Sequence, residues 1–251
     1  MRIDFLTLFP EMCKTVMNES IVGRAQKKGA VEIAYHQIRD YANNKHNRVD
    51  DPPFGGGMGM LLRAEPLALC IDDLISKIGK KPHFIYMSPL GSVLTQQKAI
   101  ELSQMTHIAI LCGHYEGIDE RIIETYIDEQ ISIGDYVLTG GELPALVLAD
   151  TVCRMLPNVL SDNVCFQEES HYSGLLEYPQ YTRPSNFRGR EVPEVLLSGH
   201  HANIHRWRRE QSLLRTAQYR PDLIEKAKQK GLLTKEDLEY LFKITNTSTE
   251  K

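Results

Sequence analysis

An α/β fold with a parallel sheet is the fold class that the sequence predicts for residues 1–156. Short apolar runs, each the length of a buried strand, alternate along this part of the chain with segments of helical character. That alternation has the spacing of βα units, in which helices cover both faces of a parallel sheet. After residue 175 the pattern changes to helices alone, so the sequence predicts a second, small helical domain.

The elements of the first domain can be justified in chain order. A strand at 3–8 precedes a helix opened by Pro10, because proline is favoured in the first turn of a helix. A helix at 95–105 has Thr95 as its expected N-cap. Further strands are predicted at 31–37, 83–87, 108–112 and 131–133, and further helices at 65–78, 119–126 and 142–155.

Residues 39–60 form a long irregular segment, RDYANNKHNRVDDPPFGGGMGM. Its length exceeds that of a passive connection, so the segment is either functional or disordered. The glycine string with Arg48, Asp50 and Asp51 beside it favours function, and a flexible glycine linker is the alternative.

The second domain is basic although the whole chain is acidic. The net charge is −4, but residues 176–230 carry eleven Lys/Arg against six Asp/Glu. Such asymmetry is typical of a protein that contacts phosphates with one region. Residues 157–175 are polar and aperiodic and are predicted to be a flexible linker, and helices are expected at 202–219, 221–230 and 235–243.

Composition and motifs limit the function classes. Five cysteines without a C-x-x-C pair indicate neither a disulfide framework nor a cysteine zinc site. With no signal peptide and no long apolar run, we expect a cytoplasmic protein without a membrane partner. The Rossmann, P-loop, H-E-x-x-H and G-x-S-x-G motifs are all missing from the sequence.

The segment 108–144 contains the candidate ligand site. Two of its predicted strands end in a glycine, Gly113 and Gly134, and Gly140 and Gly141 follow. Glycine at a strand end can adopt a positive φ and lets a ligand lie against bare backbone groups, so these turns predict a cradle for a small molecule. The alternative is that the glycines only turn the chain.

Six segments together resemble the bacterial tRNA (guanine-N1)-methyltransferases of the SPOUT superfamily. They run in order through both domains: LFPEM (8–12), DDPPFGGGMGM (50–60), CGHYEGIDERI (112–122), IGDYVLTGGELPA (133–145), LEYPQYTRP (176–184) and LLSGHHANIHRWRREQSL (196–213). The resemblance implies methylation of guanine 37 of tRNA, a deep trefoil knot that holds S-adenosylmethionine, and a homodimer with the active site at its interface. It also implies magnesium, whose site is unknown.

The resemblance assigns the cradle to S-adenosylmethionine. The implied contacts are Tyr86, Ser88, Pro89, Gly113, Tyr115, Glu116, Gly117, Ile133, Gly134, Asp135, Tyr136, Val137, Leu138, Gly140, Gly141 and Pro144.

Methylation of guanine N1 requires a base to remove the N1 proton and a donor for the charge that grows toward O6. By resemblance, Arg154 is the donor, and an interaction with the helix dipole is its alternative role. The family's aspartate base is replaced here by Glu169, so Glu168 and His171 are kept as alternative bases.

Contacts to tRNA are expected mainly from the second domain. The alternative for the arginines of its basic helix is that they form an ordinary solvated helix face. For the whole protein, the competing functions are an RNA-binding regulator and an enzyme that acts on small molecules. The preferred tRNAs, and any requirement for guanine before position 37, are not specified by the sequence. The expected tRNA contacts are Asp50, Gly59, His201, Arg206, Arg208, Arg209 and Arg215.

Overall fold

The computed structural model describes residues 1–160, 166 and 169–248, with side chains described as far as residue 244. The chain divides into two compact units, Met1–Asn163 and Val164–Lys251.

A five-stranded parallel sheet forms the centre of the first unit. Its strands are β1 (Arg2–Thr7), β2 (Glu32–Gln37), β5 (His83–Val93), β6 (His107–Leu111) and β7 (Glu129–Ser132), and a separate antiparallel pair is formed by β3 (Asp50–Asp51) and β4 (Leu61–Leu62). The order across the sheet is β2-β1-β6-β5-β7, and every pair is parallel. The predicted parallel α/β sheet is therefore confirmed.

Helices cover both faces of this sheet, as the sequence predicts. They are α1 (Pro10–Met17), α2 (Ser20–Lys27), α3 (Ala64–Ile78), α4 (Gln96–Ser103), α5 (Glu120–Tyr126) and α6 (Glu142–Cys153). Along β6, Ile108 and Ile110 pack into one core with α1, α2, α4 and α6. Ala109 and Leu111 pack into the other core with α3 and α5, because successive side chains of a strand point to opposite faces.

Three details of the first unit were not predicted. Helix α2 lies in a segment for which no element was predicted, and the 3₁₀ turn at Ile38–Tyr41 overlaps the beginning of the segment 39–60 that was expected to be irregular. Strand β5 continues to Val93 beyond an irregularity, since Gly91 lets the chain approach β7: a Cβ there would lie 2.4 Å from the backbone of Gln130. The expected N-cap is confirmed, because the Thr95 side chain accepts a hydrogen bond from the Lys98 backbone N–H at 3.2 Å.

A buried charge cluster joins β1, β2 and β6. The Asp4 carboxylate, fully buried, accepts hydrogen bonds from His36 and His107 at 2.6 Å each and from two nitrogens of Arg2 at 2.8 and 2.9 Å. Burial alone would raise the pKa of Asp4, but these donors outweigh it and hold the pKa well below its usual range. The cluster therefore fastens three neighbouring strands to one another.

The described part of the second unit is mainly helical. Its elements are a short hairpin of β8 (Asn186–Phe187) and β9 (Arg190–Glu191), and the helices α7 (Glu194–Leu197), α8 (His201–Tyr219), α9 (Pro221–Gln229) and α10 (Lys235–Ser248). Its core is formed by Leu175, Leu213, Ile224, Ala227 and Leu241. The hairpin and α7 were not predicted.

Part of the predicted flexible linker is folded. Val159 packs into the core of the first unit, and residues 169–175 form a turn closed by a 2.8 Å hydrogen bond from the His171 N–H to the Leu175 carbonyl. The Leu176 N–H donates to the Thr216 hydroxyl at 2.9 Å, which fixes the end of this turn on α8. Residues 161–165, 167 and 168 of the predicted linker lie outside the described residues.

Candidate functional site

A cavity of about 190 Å³ lies at the carboxyl ends of β5, β6 and β7. In parallel α/β sheets this edge is where ligands bind, because the loops that follow adjacent strands meet there. Its walls are Tyr86 to Pro89, Gly113 to Gly117, Ile131 to Gly134, Tyr136 to Gly141, and Pro144.

All the predicted cofactor contacts except Asp135 line this one cavity. Sequence reasoning missed five further wall residues that lie between or beside the predicted ones: Met87, His114, Ile131, Ser132 and Thr139. Their positions follow from the strand ends, because a wall built from consecutive residues includes the neighbours of each motif residue. The structure brings the predicted residues together, and their role in cofactor binding stays a prediction.

The glycines are needed for a reason that differs in part from the predicted one. A Cβ at Gly141 would lie 2.7 Å from the Gly113 nitrogen and 2.8 Å from the Cys112 Cα, and a Cβ at Gly113 would lie 2.8 Å from the Tyr86 hydroxyl. The Gly141 N–H also donates to the Gly113 carbonyl at 2.7 Å. Of the four strand-end and cradle glycines, only Gly134 has a positive φ, at 148°. The bare backbone therefore serves contacts within the protein.

Two of the polar side chains that line the cavity, Tyr86 and His114, are largely surrounded by protein. The Tyr86 side chain is mostly buried, and burial raises the pKa of its phenol, so the group stays protonated at neutral pH as a hydrogen-bond donor. The His114 ring packs edge-on against Phe9 and Tyr115, and its buried Nδ1 has no hydrogen-bond partner among the described residues. A buried polar atom without a partner is costly, so a ligand that reaches Nδ1 would gain from pairing it.

The first turn of α6 is fixed to β1 beneath the cavity. The buried Thr7 hydroxyl donates to the Glu142 carboxylate at 2.8 Å and accepts from the Phe9 N–H at 2.9 Å. A carboxylate in the first turn also interacts favourably with the helix dipole. These contacts hold Gly141 and Pro144 in place at the wall.

The end of the glycine-rich loop lies beside the cavity, and the loop is anchored at its neck. Asp50 pairs with Leu62 in the β3–β4 ladder, and the Glu116 N–H donates to the Met60 carbonyl at 3.0 Å. Gly59 lies against Glu116, since a Cβ at position 59 would be 2.3 Å from the Glu116 Cγ. The two predicted tRNA contacts of this loop thus lie at its neck and beside the cavity wall.

The two predicted catalytic residues are on different units. Arg154 is the C-cap of α6, and the rise of that twelve-residue helix places it about 20 Å from Gly141, the N-cap. Glu169 is partly buried in the turn at 169–175, where the neighbouring Ser170 hydroxyl accepts from the Glu177 N–H at 2.9 Å. His171 is in the same turn with φ 73°, and the alternative base Glu168 lies outside the described residues.

The predicted tRNA contacts on α8 point to different surroundings. His201 begins the helix and is exposed, and Arg206 is 80% exposed with an ion pair to Glu210 at 2.9 Å. Arg208 lies over the Tyr178 ring at 4.8 Å, and Arg215 donates to the Glu177 carbonyl at 3.4 Å.

Arg209 differs from the other arginines of α8. Its guanidinium donates to both carboxylate oxygens of buried Asp237, at 3.0 and 2.7 Å. Burial acts to raise the pKa of Asp237, but the hydrogen bonds from Arg209 and Thr234 lower it overall. A bidentate pair of this kind fastens α10 to α8. The geometry therefore gives Arg209 a structural contact, and its predicted tRNA contact stays untested.

The described residues contain neither a cluster of metal ligands nor a membrane-spanning helix. No three His, Cys, Asp or Glu side chains among them come together to hold a metal ion. No helix in the described part of the chain is long and apolar enough to cross a membrane.

The fold and the cavity together define an α/β protein with a cavity at the carboxyl ends of its parallel strands, followed by a second unit that is mainly helical among the described residues. The chain belongs to the family described as tRNA (Guanine-1)-methyltransferase TrmD, whose model matches residues 1–226. This confirms the resemblance carried by the six sequence segments.

Curated relatives agree with the family match. The chain is 60% identical over 233 residues to the tRNA (guanine-N(1)-)-methyltransferase of Ruminiclostridium cellulolyticum, which covers 93% of this chain and all of the relative. It is 55% identical over 241 residues to the protein of that name from Halalkalibacterium halodurans, with 96% of each chain covered. A third, from Staphylococcus aureus strain JH9, is 52% identical over 241 residues, again with 96% of each covered.

Proposed function

We propose that the protein transfers a methyl group from S-adenosylmethionine to N1 of guanine 37 in tRNA. The observation that carries this proposal is the family match, which extends from residue 1 through the cavity and through α8. The tRNA substrate also favours the cytoplasm as the place of action.

The cavity suits S-adenosylmethionine. Aromatic and aliphatic walls from Tyr86, Ile133 and Leu138 fit a nucleobase, while backbone groups at Gly113 and Gly140 and the unpaired His114 Nδ1 offer hydrogen bonds. The cofactor supplies an electrophilic methyl group on its sulfonium. In the family a trefoil knot forms such a pocket, and the hydrogen bond between Gly141 and Gly113 supports the same path of the chain here.

The chain's own chemistry is the removal of one proton and the stabilisation of one charge. Guanine N1 carries a proton at neutral pH, and we assign its removal to the Glu169 carboxylate. The electron density left on the base extends to O6, where a guanidinium donor at Arg154 would stabilise it. No three His, Cys, Asp or Glu side chains come together among the described residues, and the magnesium that the resemblance implies is assigned no site in this proposal.

A homodimer is needed to bring these groups to one cavity. Arg154 is separated from Gly141 by the whole of α6, about 20 Å along the helix axis, which is more than an arginine side chain can span. We therefore infer that Arg154 acts at the cavity of a second copy.

The surface of the first unit fits that partner. Large apolar side chains are exposed on the adjacent helices α1 and α6: Met12 and Val16 on the first, Leu143 and Val147 on the second, each between 41 and 52% exposed. Their spacings of four residues place each pair on one helix face. An apolar patch across two packed helices is typical of a protein–protein interface, and a second copy would cover it.

The test is methyl transfer from labelled S-adenosylmethionine to a tRNA transcript with guanine at position 37. We expect label in that transcript and a reverse-transcription stop at position 37, because a methyl group on N1 blocks the pairing edge of the base. A transcript with adenine 37 is the matched control. Tight tRNA binding without transfer would instead favour an RNA-binding regulator, and transfer to another position would contradict the assignment of guanine 37.

A further inference from the structure

The hairpin of β8 and β9 has no stabilising core of its own. Every residue from 181 to 191 is exposed, and each strand is only two residues long. Its fold is held by polar contacts, including a 3.0 Å hydrogen bond from the Gly189 N–H to the Asn186 side chain and a 2.9 Å bond from the Val192 N–H to the Ser185 carbonyl. A two-stranded hairpin without a buried face is marginally stable in water. An ordered hairpin of this kind is therefore suited to bind something else.

The side chains of the hairpin indicate what it binds. Phe187 is 59% exposed, and the Arg188 guanidinium lies 5.2 Å from the centre of its ring. Arg183 and Arg190 are exposed nearby in the sequence, and none of the three arginines forms an ion pair with a described residue. Between residues 181 and 191 the only acidic side chain is Glu191, so the local charge is positive.

Exposed arginines beside an exposed ring match single-stranded RNA in two ways. The guanidinium groups can contact phosphates, whose negative charge is always available along the backbone. An aromatic ring that already has an arginine over it provides a flat surface on which an unpaired base can stack. A basic or purely apolar partner would not pair with the arginines, and a partner that offers only carboxylates would not use the stacking surface of the ring.

The hairpin is also connected to the predicted tRNA-binding helix. Tyr181, at the beginning of the exposed segment, lies 6.4 Å from the Trp207 ring on α8, centroid to centroid. On the same helix Arg208 lies over the Tyr178 ring. Aromatic and arginine side chains thus alternate from α8 to the segment that carries the hairpin.

We propose that the hairpin at residues 183–190 is a tRNA-binding element in which Phe187 and Arg188 stack on an unpaired base and Arg183 and Arg190 contact phosphates. This proposal rests on the proposed function for the choice of RNA. It adds specific residues to the basic region 176–230, beyond the expected tRNA contacts on α8 and in the glycine-rich loop.

The experiment measures tRNA affinity of the full chain without a methyl donor, over a series of salt concentrations. Phe187→Ala should weaken binding by about 10-fold or more while leaving the salt slope unchanged, because stacking involves no counterion release. Arg183→Ala and Arg190→Ala should each lower the log–log salt slope by about 0.7 to 0.9, the value for one phosphate contact. Phe187→Trp should retain wild-type affinity or exceed it.

Matched controls come from exposed positions of the same unit. Phe242 is 70% exposed on α10, and Arg220 is exposed but paired with Asp222 at 2.8 Å, so Phe242→Ala and Arg220→Ala should leave affinity and salt slope as in the wild type. Because the hairpin residues are all exposed, circular dichroism should show the same thermal unfolding for all variants.

Two results would overturn the proposal. One is tRNA affinity within twofold of wild type for Phe187→Ala together with unchanged slopes for the arginine variants. The other is dissociation of the oligomer by sedimentation in the hairpin variants, which would identify a second copy of the chain as the partner. Since binding is measured directly, a wild-type chain that binds tRNA but fails to methylate it would refute the proposed function and leave this proposal standing.

Discussion

Mixing two inactive variants should restore activity if Arg154 acts at the cavity of a partner chain. The first variant, Leu138→Arg, places a charged side chain in the cavity wall at a position that is 39% exposed, so the cores are not disturbed. The second, Arg154→Ala, removes the donor at the other end of α6. Each variant alone forms dimers without an intact site.

The expected recovery follows from counting sites. Random exchange of equal amounts of the two chains gives about one half heterodimers. In a heterodimer the Arg154→Ala chain has an intact cavity, and its partner has an intact Arg154, so one of the two sites works. The mixture should therefore show about one quarter of wild-type activity. If Arg154 acted at the cavity of its own chain, every site would lack one component and the activity would stay at the background.

The assay is methyl transfer after the chains have exchanged subunits, with different affinity tags to quantify heterodimers. A control mixture of Leu138→Arg with Gly140→Arg should give no recovery, since both changes damage the same cavity. Background activity in the first mixture, with heterodimers present in the expected amount, would refute the assignment of Arg154 to the partner's site.

Three further predictions concern single residues. Glu169→Ala should lower kcat by about 10²–10⁴ with cofactor and tRNA affinities unchanged. Glu169→Asp should also lower kcat, because the hydrogen-bonded turn fixes the backbone and the shorter side chain would hold the carboxylate about one bond length short of its position. Higher activity of the aspartate variant in single-turnover assays would contradict this expectation. Arg209→Ala should reduce the free energy of unfolding by about 1–2 kcal/mol in urea denaturation and leave the salt slope of tRNA binding unchanged. Arg206→Ala should leave the free energy of unfolding unchanged and lower the salt slope in filter binding. The same behaviour in both variants would contradict the distinction between the two arginines. Asp4→Asn should cost roughly 3 kcal/mol at pH 7. The folded-state pKa of Asp4 is depressed, so the stabilisation by its carboxylate is fully present above the unfolded-state pKa and is lost as the pH falls toward the folded-state pKa. In urea titrations the difference in free energy of unfolding between Asp4→Asn and wild type should therefore shrink at low pH. A difference that stays constant down to pH 3 would contradict a stabilising role of the cluster.

The positions of the strands and most helices could be predicted because their signals are local. Apolar runs identify β1, β5 and β6, and Thr95 identifies the beginning of α4. Helix α2 was missed because its sequence, SIVGRAQK, is short and largely polar. The hairpin was missed because two-residue strands carry no periodic pattern.

The candidate site likewise contains features that could be predicted from local sequence and features that could not. The cavity walls follow from strand ends and from motif residues, which are contiguous in sequence. The pair between Arg209 and Asp237 spans 28 residues, and nothing local to α8 shows that this arginine, among its neighbours, is engaged. The distance of Arg154 from its own cavity likewise follows only from the observed direction of α6.

The contact between Gly141 and Gly113 has a consequence for drug resistance. The floor of the cavity is formed there by two main-chain segments in direct contact, so no side chain can be exchanged to reshape it. Substitution of Thr139 or Met87 could weaken the binding of an inhibitor that depends on contacts with those side chains. Resistance to an inhibitor that pairs with the backbone at Gly113 and Gly141 would require a change that also separates the two segments, and such a change would damage the cavity itself.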